Sequence, residues 1–203
     1  MSKKPVIVFE GIEGSGKSYH ISNVSKYLKK NDIAHIKIRE PGGSLNSEKI
    51  RKLILDKKSN FDKDTDLLLY LAARNENIRK LKKYYKKKII LIDRFIDSTI
   101  AYQHYGFGVD LKVINHLNSF ILKRFKVDFT FLNIVNEKNM LKRLKLRRKL
   151  NRYDKFHKRF YKSVQKGFLK IASKNKKRYQ IIDSNLNIKD NETKIINILS
   201  KLI

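Results

Sequence analysis

Gly11-Ile12-Glu13-Gly14-Ser15-Gly16-Lys17-Ser18 decides the fold. It fits the eight-residue pattern of Gly, four residues, then Gly-Lys-Ser. Its flanks agree, with an apolar run of strand length, Val6–Phe9, before it and a helix expected from about Lys17. Glycines let a backbone wrap closely around a phosphate, with several N–H groups turned inward. A helix N-terminus adds partial positive charge at the same point. Lys17 is expected to bridge the β- and γ-phosphates of ATP, and the Ser18 hydroxyl to ligate Mg²⁺. Residues Gly11 to Ser18 are thus the expected ATP-binding loop. The motif alone does not separate a kinase from a GTPase or a motor.

Outward from this loop, apolar runs of strand length recur at Val6–Phe9, Ile36–Ile38, Ile89–Ile92, Phe129–Ile134 and Tyr179–Ile182. Longer stretches of helical periodicity separate them. Near-continuous apolar strands alternating with helices predict a five-stranded parallel sheet with helices on both faces, the α/β P-loop fold. A strong helix is expected over 66–87, with Leu68, Leu71, Ile78 and Leu81 as its apolar stripe. Residues 140–175 read as basic helix, a charged interruption near 148–155, and helix again. No linker, repeat or composition shift divides residues 1–203, so one domain is expected.

The 203 residues suffice for a full α/β core. Without cysteine, disulfides and thiolate metal sites are excluded, which fits a reducing cytoplasm. The apolar run that follows the basic N-terminus ends at Glu10, too short for a signal peptide or a membrane span. Lys and Arg number 48 against 19 acids, a net charge of +29. One reading is a polyanion partner such as nucleic acid. The other, which the joint over-use of Lys, Asn and Ile favours, is compositional drift on a solvated surface. Nucleic acid is therefore not the expected partner, and neither is a membrane.

A second phosphate handle follows the third apolar run. In open α/β sheets ligands bind at the C-terminal edge of the strands, where Asp93-Arg94 stands. Asp93 suits a carboxylate that holds Mg²⁺ directly or through water. Arg94 can take a phosphate with its planar fork. Taken alone, the dipeptide reads equally as a helix cap with a surface ion pair.

Four blocks together resemble the thymidylate kinases, P-loop kinases of nucleoside monophosphates. They are Gly11-Ile12-Glu13-Gly14, Arg39-Glu40-Pro41-Gly42-Gly43, Tyr70-Leu71-Ala72-Ala73-Arg74, and Asp93-Arg94 through Ser98-Thr99 to Ala101-Tyr102-Gln103. Their order and spacing agree with the family from about Val6 to Asp183. The resemblance implies phosphoryl transfer from Mg·ATP to dTMP, giving dTDP and ADP in a cytoplasmic homodimer. It implies that Tyr70 stacks on the pyrimidine and that Arg74 reaches a base carbonyl. Thr99 and Gln103 would read the Watson–Crick edge of thymine, and Tyr102 would lie under the sugar and disfavour a 2′-hydroxyl. Pro41 would lie against the substrate, in a turn where a cis bond is plausible. Adenine would lie near Ser184-Asn185. An acid within a phosphate loop needs another partner, so Glu13 is implied to touch the 3′-hydroxyl or a water on Mg²⁺.

Phosphoryl transfer also needs cations around the moving group. The lid expected at about 143–155 opens with Arg143-Leu144-Lys145-Leu146-Arg147-Arg148-Lys149-Leu150-Asn151-Arg152. By the resemblance Arg147 and Arg152 are its catalytic arginines beside Lys17 and Arg94, with Arg143 in reserve. The family often has Asp-Arg-x-Glu here, whereas this chain has Asn151-Arg152-Tyr153-Asp154. Two other readings stay open: a deoxynucleoside kinase that accepts thymidine, and a basic P-loop protein that binds nucleic acid.

Overall fold

The computed structural model describes residues 4–147 and 150–203. Five strands form one parallel sheet: β1 (Val6–Glu10), β2 (His35–Arg39), β3 (Ile89–Asp93), β4 (Phe129–Ile134) and β5 (Tyr179–Asp183), in the spatial order β2-β3-β1-β4-β5. All five apolar runs are strands. β1 and β3 are buried along almost their whole length, which is why they lack polar alternation. Val6 is in register with Ile90 and Phe9 with Asp93, so the end of β1 lies beside Asp93-Arg94.

Helices cover both faces. One layer packs Val8, Ile90 and Ile92 against Leu67, Leu71 and Ile78 of α3 (Lys63–Tyr84) and Ile114 of α5 (Leu111–Leu122). The other packs Ile7, Phe9 and Leu91 against Ile21 and Val24 of α1 (Lys17–Lys30) and Ile195 of α8 (Ile188–Ser200). The remaining long helices are α2 (Leu45–Leu55), α6 (Glu137–Lys145) and α7 (Lys158–Ser173). The helix expected over 66–87 thus starts and stops three residues earlier. Asp62 fixes its start by accepting from the backbone of Asp64 and Thr65. One expected core residue is wrong. Leu68 is 57% exposed, and Leu67 takes the inward place beside Leu71.

A short α4 (Ile96–Thr99) runs directly into a π-helical segment, Ile100–Gly106. Its widened turn is seen where Phe107 N donates to Tyr102 O, five residues back. Among the described residues no helix is long and apolar enough to cross a membrane.

Candidate active site

The phosphate loop joins β1 to α1. Side chains of Ser44, Asp62, Asp110, Asn136 and Asn187 cap α2, α3, α5, α6 and α8, whereas the N-cap of α1 is Gly16, with no side-chain acceptor. The first N–H groups of α1 are therefore left for an anion. The loop's carbonyls are meanwhile taken by other donors. Arg94 donates to Gly11 O, Lys17 Nζ to Ile12 O, Arg143 to Gly14 O and Ser184 Oγ to Ser15 O, at 2.6 to 2.9 Å. An anion entering the loop meets N–H groups rather than those oxygens. Gly11 holds φ +138, and a Cβ there would sit 2.1 Å from the carbonyl oxygen of Asn133 on β4.

Lys17 is buried. Desolvation, and then repulsion from Arg94, lower its ammonium to about 7, against the pull of Asp93, Glu13 and Glu10. Ser18 Oγ donates to Asp93 Oδ2 at 3.0 Å. This exposed hydroxyl and half-buried carboxylate at the loop mouth are hard oxygen donors that fit Mg²⁺, an ion that keeps waters and substrate phosphates as its other ligands. Among the described residues no cluster of three or more His, Cys, Asp or Glu competes for a metal.

Arg94 follows β3 with φ +66, a conformation that costs a non-glycine residue energy. It ties the loop to the rest of the cleft, because its Nη2 donates to Glu13 Oε1 at 2.8 Å. Burial lowers the basicity of Arg94, but Tyr102, Glu13, Asp93 and Glu10 outweigh that and raise it. Glu13 also accepts from the Tyr102 hydroxyl. The acid inside the phosphate loop therefore does have another partner, and in this structure it is protein: Arg94 and Tyr102. Burial raises the Tyr102 phenol well above its usual range.

The cleft, about 200 Å³, is lined by Glu13, Lys17, Ser18, Asp93 and Arg94 together with Pro41, Tyr70, Arg74, Thr99, Tyr102, Gln103 and Arg147. Residues expected from five separate stretches of chain thus share one cavity. The Glu40–Pro41 peptide is cis. Tyr70 meets Tyr153 edge to face at 5.9 Å. Arg74 is buried rather than solvated, and donates to Glu40 at 2.8 Å, Asn118 at 2.7 Å and Thr99 at 2.9 Å. Gln103 is buried too, yet neither its amide nitrogen nor its amide oxygen has a partner. A buried primary amide left unsatisfied at a cleft offers both a donor and an acceptor to a ligand. Thr99 ends α4 and Gln103 lies in the π-helical segment that follows.

The lid arginines divide. Arg147 lines the cleft and is oriented by Asp154, whose other oxygen caps Asn151. Arg152 does not line the cleft; it is bound to Asp66 of α3, which also accepts from the Tyr153 hydroxyl. Arg143 bridges Gly14 O and Ser184 O. Arg148 and Lys149 lie outside the described residues.

Glu40, Asn118, Asp66 and Arg51 were not foreseen as site residues. Glu40 stands in a block quoted for the resemblance and gains its role only by pairing with Arg74. Asn118 and Asp66 sit on helix faces with no local signal. Arg51 lines the cleft and donates to Pro41 O at 2.6 Å.

Comparison with known proteins agrees with this geometry. The family model described as thymidylate kinase matches residues 9–195. The thymidylate kinase of Sulfurihydrogenibium sp. is 40% identical over 90% of this chain and 90% of its own. That of Kosmotoga olearia is 34% identical over 90% and 88%. The crystal structure of thymidylate kinase from Ehrlichia chaffeensis superposes with a TM-score of 0.76 at 33% identity, covering 98% of this chain and 99% of that one. With the family model spanning nearly the whole chain and its phosphate loop, the chain belongs to the thymidylate kinase family.

Proposed function

We propose that the protein transfers the γ-phosphoryl group of Mg·ATP to dTMP, releasing dTDP and ADP. The observation that carries this reading is the single cleft in which the phosphate loop faces Tyr70, Arg74, Thr99 and Gln103. A nucleotide acceptor needs both a base-sized wall and cations for its phosphate, and the cleft provides both. In this reading Tyr70 covers the pyrimidine face, and Arg74, Thr99 and the unsatisfied Gln103 amide read its edge. Tyr102 and Glu13 face the sugar. Arg94, with Arg51 beside it, holds the acceptor phosphate, and Pro41 closes that wall.

Lys17 and the N–H groups of residues 11–18 bind the donor phosphates. Ser18 and Asp93 hold Mg²⁺, which supplies charge neutralisation on the donor phosphates when bound. The attacking oxygen already belongs to a phosphate, so no general base is needed. Alignment, positive charge from Lys17, Arg94 and Arg147, and exclusion of water by the 143–155 segment make up the catalysis. Arg152 enters this scheme only if it leaves Asp66. Adenine lies toward Ser184-Asn185. We read residues 1–203 as one kinase domain that is cytoplasmic and works as a homodimer.

A coupled ADP-release assay tests the proposal with dTMP, dUMP, dCMP, UMP, AMP and thymidine offered separately. Preference for dTMP is expected. Turnover of thymidine but not dTMP would move the protein to the nucleoside kinases. Retained ATP binding without acceptor-dependent turnover would end the kinase reading.

A further inference from the structure

The cleft does not account for the net charge of +29, and the fold does not spread that charge evenly. In an all-parallel sheet every strand starts at the same edge. Chain enters the strands there through residues 4–5, 31–34, 85–88, 123–128 and 174–178. Eleven of these 21 residues are Lys or Arg, against 48 in 203 overall, and only Asp32 and Asp128 are acids. The connections leaving the strands at the catalytic edge, 11–16, 40–44, 94–95, 135–136 and 184–187, hold one cation, Arg94, and two acids, Glu13 and Glu40. The other cations at that edge come from helices and the lid, among them Lys17 of α1, Arg51 of α2, Arg74 of α3 and Arg147.

The strand order sets these entering segments side by side. Lys4 bridges to Lys86, the rings of Tyr85 and Phe125 lie 4.9 Å apart, and Lys126 and Arg178 line one cavity. From β3 to β5, at about 4.8 Å between strands, the row runs about 14 Å. Eight of the eleven cations are exposed, the others being Lys4, Lys88 and Arg178. Among the described residues no salt bridge engages any of them. Arg178 Nε is buried with no hydrogen-bond partner.

We propose that this edge is a nucleic-acid-binding surface, which takes the phosphodiester backbone without sequence preference on the side of the sheet opposite the cleft. A row of cations with no salt bridge among the described residues is the footprint of a polyanion. Nine of the eleven are Lys, which meets phosphate as a point charge and lacks the planar fork that reads guanine. The large hydrophobic side chains exposed on the described surface lie outside these segments, so this edge offers nothing to insert into a lipid interface. The half-buried Tyr84 and Tyr85 lie under Lys88 and Lys86 at 5.5 and 5.8 Å, which leaves backbone contact as the mode of binding. A bound strand leaves the cleft open.

The test is fluorescence anisotropy of a labelled 20-nucleotide single-stranded DNA at 50 and 200 mM salt, with ADP and dTMP present to fill the cleft. Two variants of equal net charge are compared: Lys86→Glu/Lys87→Glu/Lys126→Glu on the edge, and Lys52→Glu/Lys162→Glu/Lys166→Glu on α2 and α7. The edge variant should lose at least tenfold in affinity, and its log K against log salt should flatten by about 2, at about 0.7 per lost phosphate contact. The comparator should stay within about threefold of the parent. Both should phosphorylate dTMP at the parent rate, which also reports folding. If the edge variant is misfolded, the corresponding Lys→Gln variant replaces it. Equal losses in the two variants, no binding at 50 mM salt, a preference above tenfold for one sequence, or tighter binding to phosphatidylserine vesicles would each overturn the proposal.

Discussion

Arg74 and Glu40 form a buried ion pair, Nε to Oε2 at 2.8 Å, with side chains 2% and 4% exposed, and it locks α3 to the turn after β2. Removing one partner of such a pair leaves a charge with no water and no counter-ion, at a cost of about 3–5 kcal/mol. Glu40→Ala is therefore expected to destabilise the protein by about that much in urea unfolding. Arg74→Ala should do likewise, and should raise KM for dTMP. The double variant should lose well under the sum of the two, whereas additive losses would show that the pair is not coupled.

Lys17 carries a consequence for pH. Its ammonium is lowered to about 7 by burial and by Arg94, and triphosphate bound beside it favours the charged form. At pH 8 it is mostly neutral before binding and charged after, so ATP binding takes up close to one proton. At pH 6 it is charged throughout and uptake vanishes. Calorimetry in buffers of different ionisation enthalpy reads this directly. Equal uptake at pH 6 and pH 8 would contradict it.

The two lid arginines should separate kinetically. Arg147 lines the cleft, and Arg147→Ala is expected to lower kcat about a hundredfold with little change in KM for dTMP. Arg152 holds Asp66, and Tyr153 beside it packs against Tyr70. Arg152→Ala should therefore raise KM for dTMP and lower kcat by less than tenfold. Equal kcat losses would place both arginines at the transferred group.

Gly11→Ala would push a methyl to 2.1 Å from the Asn133 carbonyl, in a backbone conformation L residues avoid. ATP affinity should fall at least a hundredfold while β1 stays paired, read by titration calorimetry beside far-UV circular dichroism. Normal affinity would mean that β4 yields.

Glu10 is fully buried at the end of β1, accepting from the backbone of Phe95 and Ser98. Desolvation, and then Asp97, raise its carboxyl to about 7, while an unfolded chain titrates it near 4.5. The folded state thus holds the extra proton between those values, and stability should fall as pH rises from about 4.5 to 7. Glu10→Gln should flatten that fall in thermal unfolding profiles. An unchanged slope would assign it to other groups.

The sequence by itself determined the sheet, because each buried parallel strand is an unbroken apolar run. It determined the phosphate loop too, because backbone wrapping of a phosphate needs glycines at fixed spacing and a helix immediately after. Tyr70, Arg74, Thr99 and Gln103 were named through the resemblance, and the fold brings all four to one cleft. What only the tertiary structure decided is which side chains those residues meet. Glu40 lies 34 residues from Arg74, and Asp66 lies 86 from Arg152, and no local pattern announces such pairs. The inward turn of Leu67 in place of Leu68 came from the phase that packing imposes on α3. The gathering of scattered lysines along one edge of the sheet follows from parallel topology, which sends every entering segment to the same side whatever its distance along the chain.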